Sequence, residues 1–176
     1  MSTFTRKHIA YHEAGHAAAN LLLDHNPSIA TIAPRGDTLG RVEQLDGDMF
    51  SVEGVTNLIV ALYAGAEAQK LYEPKVDLLT VALGAHSDDE EADEYLRLLD
   101  CDEASLHAHA SELLQANWSL VERIAAELMA HVTLNGDELD ILLDIHRGDA
   151  TDEDLTHYRA ISARARARPL STGRQR

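Results

Sequence analysis

The sequence predicts a mainly α domain of the α+β class, in which helices carry a small antiparallel sheet near the N-terminus and end in a C-terminal helical hairpin. Three observations lead there. Of the residues 45% are apolar but only 5% aromatic, so the core is built from Leu, Ile, Val and Ala, which favours closely packed helices. Apolar residues recur at helical spacing over long stretches, whereas strand-like alternation is confined to two short runs. A chain of 176 residues is long enough for one domain with its own core.

Residues 6–23 read as the first helix, with Ile9, His12, Ala17 and Leu21-Leu22-Leu23 along it and Pro27 as the stop. Ser28-Ile29-Ala30-Thr31-Ile32-Ala33 alternates as a strand does, Pro34-Arg35-Gly36-Asp37 has turn chemistry, and Leu39-Gly40-Arg41-Val42-Glu43-Gln44 is extended again, which gives the antiparallel pair. Residues 51–72, rich in Ala and Leu, form a second helix with a broad buried face. The stretch 76–85 is apolar but less periodic, and Ser87-Asp88-Asp89-Glu90 then makes an S-x-x-E capping box, expected to open a third helix with Ala92, Tyr95, Leu96 and Leu99 on one face. Residues 102–130 place Leu106, Leu113, Leu114, Trp118, Val121, Ile124, Ala125 and Leu128 at helical intervals, as one long helix or two joined end to end. Thr133-Leu134-Asn135-Gly136-Asp137 reads as a turn before a short helix over 138–146. Thr151-Asp152-Glu153-Asp154 opens a last helix with Leu155, Tyr158 and Ile161 inward. The expected organisation is one domain over residues 1–162 and a basic, disordered tail over 163–176.

The net charge is −15, but Arg164, Arg166, Arg168, Arg174 and Arg176 crowd the C-terminus, and without them the remaining charges sum to −20. Such an acidic body repels nucleic acid, so none is expected as a partner. Cys101 is the only cysteine, so no internal disulfide can form; a small, buried apolar role is expected for it. The sequence has neither an apolar run of about 18 residues nor the apolar core of a signal peptide, so no membrane segment is expected and the chain reads as cytoplasmic.

The chemistry concentrates in His12-Glu13-Ala14-Gly15-His16. Two histidines four residues apart lie about 40° from each other on a helix, so both imidazoles can reach one ion, the arrangement of the H-E-x-x-H zinc motif. Glu13, next around the helix, is placed to hydrogen-bond a metal-bound water without being a ligand, which points to hydrolysis. A third ligand is required. Asp88, Asp89 and Glu91 all lie in the acidic run of the third helix, and spacing alone does not choose between them. His86 stands two residues before Asp88, as a hydrogen-bond donor to a ligand, a competing ligand or an exposed loop histidine. His107 and His109 lie about 200° apart on a helix and cannot easily share an ion, so both read as surface residues.

Several separated segments resemble the peptidase domain of the FtsH family, ATP-dependent zinc metalloproteases of bacterial, mitochondrial and chloroplast membranes. Arg6-Lys7-His8-Ile9-Ala10-Tyr11-His12-Glu13-Ala14-Gly15-His16-Ala17 resembles the family's zinc helix. Ala33-Pro34-Arg35-Gly36 with Leu39-Gly40 is similar to its P-R-G-x-x-L-G segment, Ala64-Gly65-Ala66-Glu67-Ala68 to G-G-R-A-A-E-E, and Gly84-Ala85-His86-Ser87-Asp88 to G-A-x-N-D. Residues 117–139 resemble the closing helical pair. The resemblance implies a helical peptidase domain holding zinc through His12, His16 and Asp88, with Glu13 as the catalytic glutamate and general base for a zinc-activated water.

The sequence departs from the family where the ATPase is concerned: it begins at the zinc helix and contains no G-x-x-x-x-G-K-[ST] loop. The stretch between Asp88 and Thr133 is several tens of residues shorter than the family's, and Ser87 and Asp93 stand where the family has Asn and Thr. The expectation is therefore an ATP-independent zinc endopeptidase acting on unfolded or flexible polypeptide. Its alternatives are a non-proteolytic regulatory or assembly protein and a peptidase half that works with a separate ATPase partner. The family's hexameric rings imply self-association as a homo-oligomer.

Overall fold

The first helix, α1 (Arg6–Leu22), packs through a run of small residues: Ala10, Ala14, Ala17, Ala18 and Ala19 are fully buried. The reason is its close approach to α2 (Val52–Tyr72), where a methyl group at Gly15 would collide with the backbone oxygen of Ala64 and the side chain of Ala68. Thr5 precedes α1 in extended conformation, and its N–H donates to His8 Nδ1 at 3.1 Å, in a capping box that uses histidine where glutamate is usual. The far side of the same imidazole meets Glu73, just beyond α2, at 2.6 Å. Ser51 caps α2 by accepting from the Gly54 N–H at 3.0 Å. The structure is a computed structural model that describes residues 5–34, 39–44, 51–99 and 101–167, without the side chains at 44, 78–80, 83 and 167.

β1 (Pro27–Thr31) and β2 (Arg41–Gln44) form the expected antiparallel pair, with Ala30 opposite Val42 and Thr31 opposite Arg41. Arg35, Gly36 and Asp37 of the expected turn lie outside the described residues. A third strand, β3 (Thr133–Asn135), occupies what the sequence suggests is a turn; it pairs antiparallel with the other edge of β1, giving the order β2-β1-β3. Three residues are too few to show alternation, and the pairing is fixed instead by Leu134 buried opposite Ala30 and by a 2.6 Å hydroxyl contact between Thr31 and Thr133.

The third helix also departs from expectation. α3 runs unbroken over Leu78–Leu96, so Ser87 and Glu90 lie in mid-helix and no capping box forms there. The amide groups that a cap would satisfy are already bonded along the helix, so the S-x-x-E string has no free donors to act on. Val81 and Ala85 pack with Ala66 and Val76, while Ala92 joins a cluster with Val55, Ile59, Val60, Tyr63, Leu106 and Ala110.

α4 (Glu103–Ala116) and α5 (Trp118–His131) are two helices joined at Asn117, and Leu114, Leu120, Val121, Ile124 and Leu128 are buried along them. α6 (Gly136–Arg147) starts with a complete capping box between Asn135 and Glu138 and ends at Gly148 with φ of 85°. α7 (Asp152–Ala167) closes the C-terminal pair, held by Arg159, which donates to Glu138 at 2.7 Å and to Glu127 at 2.8 Å. Leu155 is buried and Tyr158 half-buried, but Ile161 is 51% exposed; the bonds from α7 to α6 come from Tyr158 and Arg159 and reach Asn135, Asp137 and Glu138 at the start of α6. The basic segment begins within α7, and residues 168–176 lie outside the described residues. Cys101 is exposed, in the link before α4, and does not take the buried apolar role expected of it.

Candidate metal centre

α1 and α3 bring three donor atoms to one point. His12 Nε2 lies 3.0 Å from Asp88 Oδ2, His16 Nε2 lies 3.2 Å from the same oxygen, and the two Nε2 atoms are 3.0 Å apart. Ligand bonds of about 2.0–2.2 Å to a tetrahedral zinc separate its donor atoms by about 3.3 Å, so this donor set fits the ion in both chemistry and spacing. Among the described residues it is the one group of three metal-binding side chains that converges in this way. Asp88, near the middle of α3, is the acidic residue brought to the histidines; Asp89 is half-buried beside it, and Glu91 is exposed on the cavity wall. His86 belongs to α3 instead of a loop and is exposed, 3.5 Å from Glu90.

The helix pair α1 and α2 sets the histidines from behind. His16 Nδ1 donates to the Ala61 carbonyl at 2.8 Å, which leaves Nε2 to face Asp88. Both rings lie over Gly65 of α2, where a methyl group would run into His16 Nε2 and His12 Cε1. Asn20, one turn after His16, donates to its carbonyl at 2.8 Å.

The electrostatics follow from burial and from these pairings. Burial lowers the His12 pKa, against the pull of Asp88. Burial also opposes charge on His16, but the Asp88 carboxylate outweighs it and raises that imidazole to about 9. Burial likewise disfavours the charged form of Asp88, yet His16 and His12 hold its carboxyl far below the usual range. A divalent cation held here would require both imidazoles bare at Nε2.

Glu13 is buried, at 4% exposure, and burial pushes its carboxyl up to about 7. Its carboxylate rests on Gly40, just before β2, where a methyl group would overlap it. A cavity of about 520 Å³ opens over these groups, with His12, Glu13, His16 and Asp88 in its wall beside Ile9, Leu39, Val42, Leu58 and Leu62. The site thus combines three side chains with the chemistry to hold a metal ion, a carboxyl pushed up to about 7 and an apolar wall.

Away from this point, His107 is more than a surface residue. It stacks on Tyr63 with ring centroids 3.8 Å apart and bonds Glu67 at 3.0 Å, so it ties α4 to α2. Sequence reasoning passes over Ala61, which acts through its backbone oxygen and so carries no side-chain spacing signal. Gly40 and Gly65 belong to quoted segments, but their contacts with Glu13 and the histidines require the fold.

The chain is 36% identical over 108 residues to the ATP-dependent zinc metalloprotease FtsH 2 of Methylacidiphilum infernorum (isolate V4), a match over 58% of this chain and 16% of that protein. It is 35% identical over 102 residues to the ATP-dependent zinc metalloprotease FtsH of Caulobacter vibrioides (strain NA1000 / CB15N), over 55% of this chain and again 16% of the relative. The chain therefore spans about a sixth of the length of these curated relatives. Among the described residues no helix is long and apolar enough to cross a membrane. Residues 1–97, which include both histidines, Glu13 and Asp88, match the profile of Peptidase family M41, and with more than half of its length matched the chain belongs to that family.

Proposed function

We propose that this chain is a zinc-dependent endopeptidase whose metal is held by His12, His16 and Asp88 and whose proton carrier is Glu13. The convergence of two Nε2 atoms and one carboxylate oxygen within 3.0–3.2 Å of one another is the observation that carries this reading. A bound zinc supplies Lewis-acid charge, which makes water acidic near neutral pH and stabilises a developing oxyanion. Glu13 takes the proton of the attacking water and delivers it to the leaving amine; a carboxyl near 7 suits both halves of that cycle. Asp88 balances the cation, and Ala61 keeps His16 in the tautomer that offers Nε2.

The substrate is an unfolded or flexible polypeptide. β2 is the outer strand of the order β2-β1-β3, and Gly40, Arg41 and Val42 line the cavity, so an extended chain laid along it brings a peptide carbonyl toward Glu13. Ile9, Leu58 and Leu62 offer an apolar side chain of that substrate a place to bury. The reaction itself requires no nucleotide, and cleavage of an unfolded protein without ATP is expected.

Zinc content and casein cleavage in ATP-free buffer, measured on wild type, Glu13→Gln and His16→Ala, test this. Glu13→Gln is expected to keep zinc and lose at least about a hundredfold in turnover, the lower end of the general acid–base range. His16→Ala is expected to lose both. Full zinc occupancy in His16→Ala overturns the ligand assignment, and undiminished cleavage by Glu13→Gln overturns the role of Glu13.

A further inference from the structure

Among the described residues three buried side-chain polar atoms have no hydrogen-bond partner, and two of them are His12 Nδ1 and Gln69 Oε1. They are complementary in type, one able to donate and the other only to accept. They are also neighbours, since Gln69 reaches α1 at the backbone oxygen of His8, one helical turn before His12. Leaving two such atoms unpaired in a protein interior is costly, and joining them satisfies both.

The orientation of the Gln69 amide is fixed from its other end. Its Nε2 donates to the backbone oxygen of His8 at 3.1 Å, and because a carbonyl only accepts, the NH2 group must face that way. Oε1 is then the atom left for His12, one helical turn further along α1. Gln69 is 1% exposed, so water does not compete for it. An acceptor opposite Nδ1 requires the proton there, and a proton on Nδ1 leaves Nε2 bare.

We propose that Gln69 is a positioning residue of the metal centre: it accepts a hydrogen bond from His12 Nδ1 and so fixes the tautomer and ring orientation in which His12 Nε2 meets the metal. This rests on the metal-site reading above and extends it to a partner from α2. The two histidines are then set by the same helix in the same manner, His16 by the carbonyl of Ala61 and His12 by the amide of Gln69 two turns later. Partners of this kind raise the affinity of a metal site for its ion.

The test is zinc affinity, by competition with a chromophoric chelator, in wild type, Gln69→Met and Gln69→Glu. Gln69→Met removes both the donor and the acceptor at similar volume, whereas Gln69→Glu keeps an acceptor oxygen and gives up the amide donor to His8. Gln69→Met is expected to bind zinc roughly 10–100-fold more weakly. Gln69→Glu is expected to bind it as well as wild type or better, and only this variant and wild type should show a slowly exchanging His12 Nδ1 proton by NMR of the zinc-loaded protein. Two results overturn the inference while leaving the metal site intact: Gln69→Met binding zinc within twofold of wild type, or Gln69→Glu falling as far as Gln69→Met, which would assign the loss to the His8 bond and the packing of α1 on α2. Wild-type protein that takes up no zinc overturns both this inference and the metal site.

Discussion

Gly40 and Gly65 hold the chemistry in place by what they lack. Each presents a bare backbone to a buried functional side chain, Gly40 to the carboxylate of Glu13 and Gly65 to the rings of His12 and His16. Adding one methyl group at each position separates proton transfer from metal binding. In Gly40→Ala the obstruction is the far end of a flexible side chain, so the fold and the zinc are expected to survive while Glu13 swings away. A misplacement of about 1 Å at a reacting group lowers turnover roughly a hundredfold. Gly65→Ala pushes against both imidazoles at once and is expected to weaken zinc binding by at least about tenfold, the lower end of what loss of ligand support does elsewhere. Zinc titration beside peptidase assays on the two variants checks this; equal loss of zinc in both would show that the glycines are not separable in this way. The H-E-x-x-H string was legible at this scale, because two ligands on one helix are a matter of spacing. Their partners were not, because Ala61 acts through a backbone oxygen and Gln69 through an amide on another helix.

At the scale of elements, the sequence placed α1, β1, β2, α2 and α6 within a few residues and missed β3 and the true start of α3. Both misses have the same cause. β3 exists only because β1 has a second free edge, and α3 starts at Leu78 because Val81 and Ala85 can bury against Ala66 and Val76. Local strings such as Ser87-Asp88-Asp89-Glu90 act only where amide donors are unsatisfied. At Asn135 they are: its side chain accepts from the Glu138 N–H at 3.1 Å and Glu138 returns the bond to the Asn135 N–H at 3.1 Å, directly where β3 hands over to α6. Asn135→Ala is therefore expected to lower stability by about 1 kcal/mol in urea unfolding, the usual cost of a lost cap. A loss below about 0.3 kcal/mol would mean that the strand pairing, and not the cap, starts α6.

At the scale of the whole molecule, the site couples pieces of chain that are far apart in sequence. His12 and Asp88 are separated by 76 positions, and α2 lies behind both histidines. An ion bound there ties α1 to α3 and stabilises the folded state by linkage, by about 2.7 kcal/mol when free zinc is a hundred times its dissociation constant. Thermal unfolding is thus expected to move upward with zinc and return on chelation in wild type and Glu13→Gln, with no zinc response in His16→Ala. A His16→Ala protein stabilised as much as wild type would place the ion elsewhere. The sequence by itself determined the helical class, the motif helix with its two histidines and glutamate, and the acidic run that holds the third donor, because these follow from residue type and short-range period. Within that run spacing left the carboxylate open and only the resemblance singled out Asp88; tertiary structure alone decided which glycines make room for the histidines and which groups of α2 orient them. Those choices depend on how α1, α2 and α3 pack, and close packing of small side chains leaves no periodic signature that distinguishes one register of contact from another.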